Sequence, residues 1–86
     1  MRIVFNAGFI KKYKKLRTSD QSRFRERLKI FQKNPFDHIL NNHGLKGKYT
    51  GYRSINISGD MRAVYKLKEP DIYVFMTIGT HSELYR

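Results

Sequence analysis

The stretch LKGKYTGYRSINISGDMRAVYKLKEPDIYVFMTIGTHSELY, Leu45 to Tyr85, decides the fold of this chain. It contains three strand-like runs in succession. Tyr52 to Ser58 alternates, with Arg53, Ile55 and Ile57 on one face and Tyr52, Ser54 and Asn56 on the other. Met61 to Lys68 alternates again, setting Met61, Ala63, Tyr65 and Leu67 against Arg62, Val64 and Lys66. Ile72 to Ile78 is almost continuously apolar, the pattern of a central strand covered on both faces. Gly59-Asp60 and Glu69-Pro70-Asp71 supply the turns. Matching the apolar faces of the first hairpin requires a three-residue loop. That loop pairs Ile57 with Met61 and Ile55 with Ala63, and it sets Asn56 beside Arg62 on the opposite face. Three strands joined by tight turns form an antiparallel meander.

The first half reads as support for that meander. Arg2 to Phe5 is a short β-type run. Asn6 is placed to cap a helix whose apolar positions Phe9, Ile10, Tyr13 and Leu16 have helical spacing. The residues between them, Lys11, Lys12, Lys14, Lys15 and Arg17, make its outer face cationic. Thr18-Ser19-Asp20 breaks the pattern with residues that favour helix starts. Phe24, Leu28 and Phe31, with Ile30 alongside, mark a second amphipathic helix ending at Asn34-Pro35, since proline disfavours helical geometry in the residue before it. So short a link makes the pair an antiparallel helical hairpin. Phe36 to Gly44 has no period and reads as a loop. The expected fold is α+β, in the order β-α-α-β-β-β, as a single domain over residues 1–86 with the helices on one face of the sheet.

Eighty-six residues leave room for one modest core. An apolar share of 40% and an aromatic share of 14% argue against disorder. With no cysteine there is neither a disulfide framework nor a thiolate metal site. Three histidines whose spacing matches no metal-ligand motif predict no metal and no cofactor. The N-terminus turns polar too soon for a signal peptide, and no apolar run approaches the ~20 residues of a membrane span, so a cytoplasmic protein with no membrane partner is expected. Eighteen Lys and Arg against seven Asp and Glu give a formal net charge of +11. A domain this basic points to an anionic partner, and nucleic acid fits best.

Three motifs carry more specific information. They are H-x-L-x-G-x-x-x-G-Y-R at His43 to Arg53, S-G-D-x-R-x-V-Y at Ser58 to Tyr65, and G-T-H-S-E-L-Y at Gly79 to Tyr85. Together they resemble the RelE/ParE superfamily of toxins, and within it the YafQ-type messenger-RNA interferases. The resemblance spans essentially the whole chain. It implies the toxin of a type II toxin–antitoxin pair, a ribosome-dependent endoribonuclease that cleaves messenger RNA without a metal and thereby inhibits translation. The 2′-hydroxyl would attack the adjacent phosphate and leave a 2′,3′-cyclic phosphate. The implied partners are a cognate antitoxin, the ribosomal decoding site and messenger RNA.

Such a reaction needs a base, an acid and cations for the phosphorane. Carried over by position, the resemblance makes His81, Asp60 and His43 the acid–base candidates. Arg62 stands where the RelE branch has a catalytic arginine, and Tyr85 stands where an aromatic side chain orients a base. Lys46, Lys48, Arg53 and Asn56 are expected to contact RNA, the cations through its phosphates. Asn56 replaces the histidine of the YafQ branch, and an amide cannot transfer a proton. Each residue also has a simpler role open to it: Asp60 in a turn, Arg62 on a solvated strand, His43 in a loop, Tyr85 in packing. Two other functions fit the same pattern, a ParE-like gyrase-inhibiting toxin and a catalytically weak nucleic-acid-binding module.

Overall fold

The computed structural model describes residues 1–85. Strand β1 (Arg2–Phe5) leads into α1 (Ala7–Lys14), whose first turn is capped by Asn6: its Oδ1 accepts the Phe9 amide at 2.7 Å. Helix α2 spans Thr18–Lys33. It begins earlier than the cluster at residues 18–20 suggests. Its N-cap is Arg17, which makes no side-chain cap, while Asp20 sits in the first turn and pairs with Arg17 at 3.3 Å. Asn34 ends it, one residue before Pro35. The segment read as a loop contains a 3₁₀ turn at His38–Leu40, which buries Leu40, and a two-residue strand β2 (His43–Gly44). A second 3₁₀ turn at Gly47–Tyr49 precedes β3 (Arg53–Ser58), β4 (Met61–Lys68) and β5 (Ile72–Thr80). A four-residue helix α3 (His81–Leu84) follows β5 directly.

The sheet order is β1-β5-β4-β3-β2. The meander is antiparallel, and β1 closes its far side by pairing parallel to β5, Val4 against Val74. On one face the two helices bury Phe9, Phe24 and Phe31 against Ile55, Ile57, Ala63, Tyr65, Phe75 and Ile78. Apolar burial of that kind stabilises by roughly 25 cal/mol per Å² removed from water. Ile10 points away from this core and is 42% exposed, beside Lys14 and Arg25 in a shallow apolar groove between the helices.

Two bulges correct the expected registers. Ile55 opposes Ala63 and Asn56 opposes Arg62, as apolar matching requires. Ser58, however, opposes Met61, so Ile57 is the extra residue and Gly59-Asp60 closes a two-residue turn. Gly59 has φ of +42°, a conformation glycine adopts without a Cβ clash. Ile57 still reaches the core, and the Arg27 Nε donates to its carbonyl at 3.0 Å. In β5 the partners shift between Val64–Thr77 and Tyr65–Phe75, which makes Met76 the extra residue. The bulge changes the parity of the strand, so that both Phe75 and Ile78 reach the helix-side core. Coverage on both faces, expected from the apolar run, is therefore not needed: Val74 and Met76 are only half-buried.

Arg27 fastens α2 to the bulged backbone. Replacing it with Met keeps the aliphatic stem and leaves the Ile57 carbonyl without its charged donor. We expect a loss of about 1–3 kcal/mol in urea unfolding, with the slope against denaturant unchanged.

Candidate active site

The face opposite the helices holds a cleft of about 340 Å³ lined by Asn41, His43, Leu45, Ser54, Arg62, His81 and Tyr85. Three backbone devices bring these residues together from distant parts of the chain.

The first is the end of β5. Thr80 caps α3 in a reciprocal box: its Oγ1 accepts the Glu83 amide at 3.3 Å, and Glu83 Oε1 accepts the Thr80 amide at 2.7 Å. A Cβ on Gly79 would lie 3.1 Å from Glu83 Oε1, close enough that the capping carboxylate would have to shift by a few tenths of an ångström. His81 is thus the first residue of α3, and its amide donates to the Asp60 carbonyl at 3.0 Å. Its ring lies 4.7 Å from that of Tyr85, one helical turn later. Tyr85 in turn meets the edge of Tyr49 at 5.8 Å.

The second device is the bulged hairpin, which sets Arg62 opposite Asn56. Arg62 Nη1 donates to the carbonyls of Gly59 at 2.8 Å and Met61 at 3.2 Å. This holds the guanidinium at the turn, beside α3. Ser54 Oγ, Asn56 Oδ1 and Tyr85 Oη are buried without a hydrogen-bond partner among the described residues. All three belong to the cleft-side face.

The third device presents His43. Asn41 takes a left-handed conformation, φ +44°, and its carbonyl lies 2.8 Å from His43 Nδ1. A carbonyl can only accept, so Nδ1 carries the proton, and Nε2 of the neutral ring holds the free lone pair. Asn42 anchors the turn: its Nδ2 donates to the Pro35 carbonyl at 2.8 Å and to Tyr65 Oη at 2.7 Å, and its Oδ1 accepts from Arg53 Nε at 2.7 Å. Burial pushes the Tyr65 phenol up from its ordinary range, partly offset by the Asn42 hydrogen bond and the nearby Arg53 charge.

The structure therefore unites His81, His43, Arg62 and Tyr85, with Asn56 alongside Arg62. Two expected residues fall elsewhere. Asp60 is exposed at the hairpin turn; its carbonyl engages His81, while its carboxylate makes no hydrogen bond or ion pair among the described residues and does not line the cleft. Arg53 lies on the helix side of β3, as its alternation with Ile55 and Ile57 dictates. Its guanidinium is held by Asn42 and lies 5.2 Å from the Phe36 ring, and it does not line the cleft. Lys46 and Lys48 are exposed in the segment before β3, and Lys48 Nζ lies 5.4 Å from the Tyr49 ring. Sequence reading passed over Asn42, Ser54 and Tyr49. The Asn41-Asn42 pair before His43 was the available clue, since asparagine tolerates left-handed turns. Among the described residues, no group of three or more His, Cys, Asp or Glu side chains could hold a metal ion, and no helix is long and apolar enough to cross a membrane.

Comparisons with known proteins place this geometry in context. A family model described as the bacterial toxin of type II toxin–antitoxin system, YafQ, matches residues 1–86. A search among curated proteins finds no sequence match. Among solved structures, YafQ from E. coli strain BL21(DE3) is 23% identical with a TM-score of 0.83, the match covering 100% of both chains. A chain of the E. coli DinJ-YafQ complex is 24% identical with a TM-score of 0.72, again over 100% of both. A conserved hypothetical protein from Helicobacter pylori is 30% identical with a TM-score of 0.72 over 99% of each chain.

The raised Tyr65 phenol makes stability fall at alkaline pH. The unfolded chain gives up this proton near pH 10, whereas the native state keeps it. The contribution is complete below about pH 10 and is lost as pH rises through the higher native value, with a slope of at most about 1.4 kcal/mol per pH unit. Tyr65→Phe is expected to remove this component. Urea titrations of both proteins from pH 8 to 11 compare the slopes directly.

Proposed function

Because the chain belongs to the YafQ family of toxins from bacterial type II toxin–antitoxin systems, we propose that it is a ribosome-dependent endoribonuclease that cuts messenger RNA by attack of the ribose 2′-hydroxyl. The observation that carries this reading is the convergence of His81, His43 and Arg62 on one cleft of a strongly basic domain. Two imidazoles are enough for proton transfer in both directions: one takes the 2′-hydroxyl proton while the other gives a proton to the departing 5′-oxygen. His43, with Nδ1 committed to the Asn41 carbonyl, offers Nε2 as the base. His81, its ring packed beside Tyr85 and its backbone amide held by the Asp60 carbonyl, takes the part of the acid. Arg62 supplies the cation for charge developing on the phosphorane, through the N–H groups its turn contacts leave free. Asn56 adds a fixed dipole beside it and moves no proton.

On this reading Asp60 contributes its backbone rather than its carboxylate. The open cleft does little to hold a flexible strand in line, so the ribosome supplies the alignment of the 2′-hydroxyl with the leaving oxygen. The chain acts in the cytoplasm, where its messenger-RNA substrate is translated. A cognate antitoxin is its expected protein partner, by analogy with the DinJ-YafQ complex.

Mapping RNA ends on programmed ribosomes tests the proposal. The wild type is expected to leave codon-phased 2′,3′-cyclic phosphate ends. His81→Ala and His43→Ala should each slow cleavage by about 10²- to 10⁴-fold, whereas Asp60→Ala should retain most of it. Absence of phased cuts, with DNA gyrase complexes trapped instead, refutes the nuclease reading in favour of a gyrase poison.

A further inference from the structure

Four rings run end to end across the open face: Tyr52, Tyr49, Tyr85 and His81. Successive centroids lie 6.2, 5.8 and 4.7 Å apart. His81 stands in the cleft, and the series leads away from it toward Tyr52. None of the three tyrosines belongs to the hydrophobic core, and each is half-buried rather than enclosed. Tyr52 immediately precedes β3 and shares the face of Ser54 and Asn56, while Lys66 of β4 shares the face of Arg62. Lys66 Nζ lies 5.5 Å from the Tyr52 ring, as Lys48 Nζ does at 5.4 Å from Tyr49. Both lysines are exposed, and neither they nor Arg62 forms an ion pair among the described residues.

We propose that Tyr52, Tyr49 and Tyr85 form a stacking track for single-stranded RNA, which receives bases flanking the cleaved phosphate while Lys48 and Lys66 contact the phosphates between them. The track rests on the nuclease reading for its place beside the scissile bond, though not for its ability to bind RNA. Aromatic rings interleaved with unpaired cations are the arrangement by which proteins hold single strands irrespective of sequence. Tyr49 meets Tyr52 at 79° and Tyr85 at 87°, so the rings turn their faces in different directions and suit bases splayed apart rather than a continuous stack. A duplex keeps its base faces inside and cannot reach the rings. The lysines over the two tyrosines are exposed and carry no ion pair among the described residues, so a phosphate can draw them from the ring as a base arrives.

The test measures binding of a fully 2′-O-methylated RNA hexamer, which lacks the attacking hydroxyl, by fluorescence anisotropy, beside the same sequence as a duplex. The single strand is expected to bind more tightly than the duplex. Tyr49→Leu and Tyr52→Leu should each weaken it roughly 5- to 100-fold, and Tyr49→Phe, which keeps the ring, by less than twofold. Far-UV circular dichroism checks that the variants fold. Should the leucine variants not fold, Lys48→Ala and Lys66→Ala decide, each lowering the salt slope of binding by about one. The proposal is overturned if folded leucine variants bind as wild type, if the duplex binds equally well, or if the lysine variants keep the full salt slope. A protein that shows the track's binding pattern but cuts nothing on programmed ribosomes overturns the nuclease reading alone.

Discussion

Phe75 is the residue on which the parts of this domain are hung. Its ring lies 5.8 Å from Phe5 of β1, 5.9 Å from Phe9 of α1, and 5.8 and 5.5 Å from Phe24 and Phe31 of α2. On the sheet side it meets Tyr65 of β4 at 5.5 Å. Most of these pairs are tilted or edge-on, the geometry that adds attraction to the burial of large apolar surface. In so small a chain no second core is available, so the helices and the sheet share this one contact centre. Everything on the opposite face inherits its position from it.

The cleft depends on that core through two irregularities. The bulge at Met76 returns Ile78 to the helix side and thereby fixes where β5 ends, at Gly79-Thr80. The bulge at Ile57 shortens the turn to Gly59-Asp60 and brings the Asp60 carbonyl to the His81 amide. An unbulged hairpin would move that carbonyl away from α3. Extra residues of this kind bend strands and re-aim side chains, and both here serve the same corner of the molecule. The chemistry of the cleft follows from this placement. It gathers two imidazoles and a guanidinium and leaves the Asp60 carboxylate at the exposed turn.

The sequence by itself determined the long elements and the antiparallel meander, while the parallel pairing of β1 with β5 came from the tertiary structure. Period-2 and period-3.6 spacing of apolar residues placed every long element, because burying one face of each is the main source of stability. Matching those faces also gave Asn56 its partner Arg62, and the motif G-T-H-S-E-L-Y marked the residues that arrive from β5. What only the tertiary structure decided are the points at which the backbone departs from its period. A bulge adds a residue without leaving a gap in the apolar pattern, so the turn at Asp60 and the parity of β5 were not legible. Side-chain direction in the loop at 36–44 depends on Asn42 finding Pro35, Tyr65 and Arg53, partners up to 23 residues away. Arg53 shows the same limit. Its charge suggested phosphate, while its strand parity put it on the helix side with Asn42 and Phe36. Composition reports which groups are present, but the face on which each emerges is set by long-range packing.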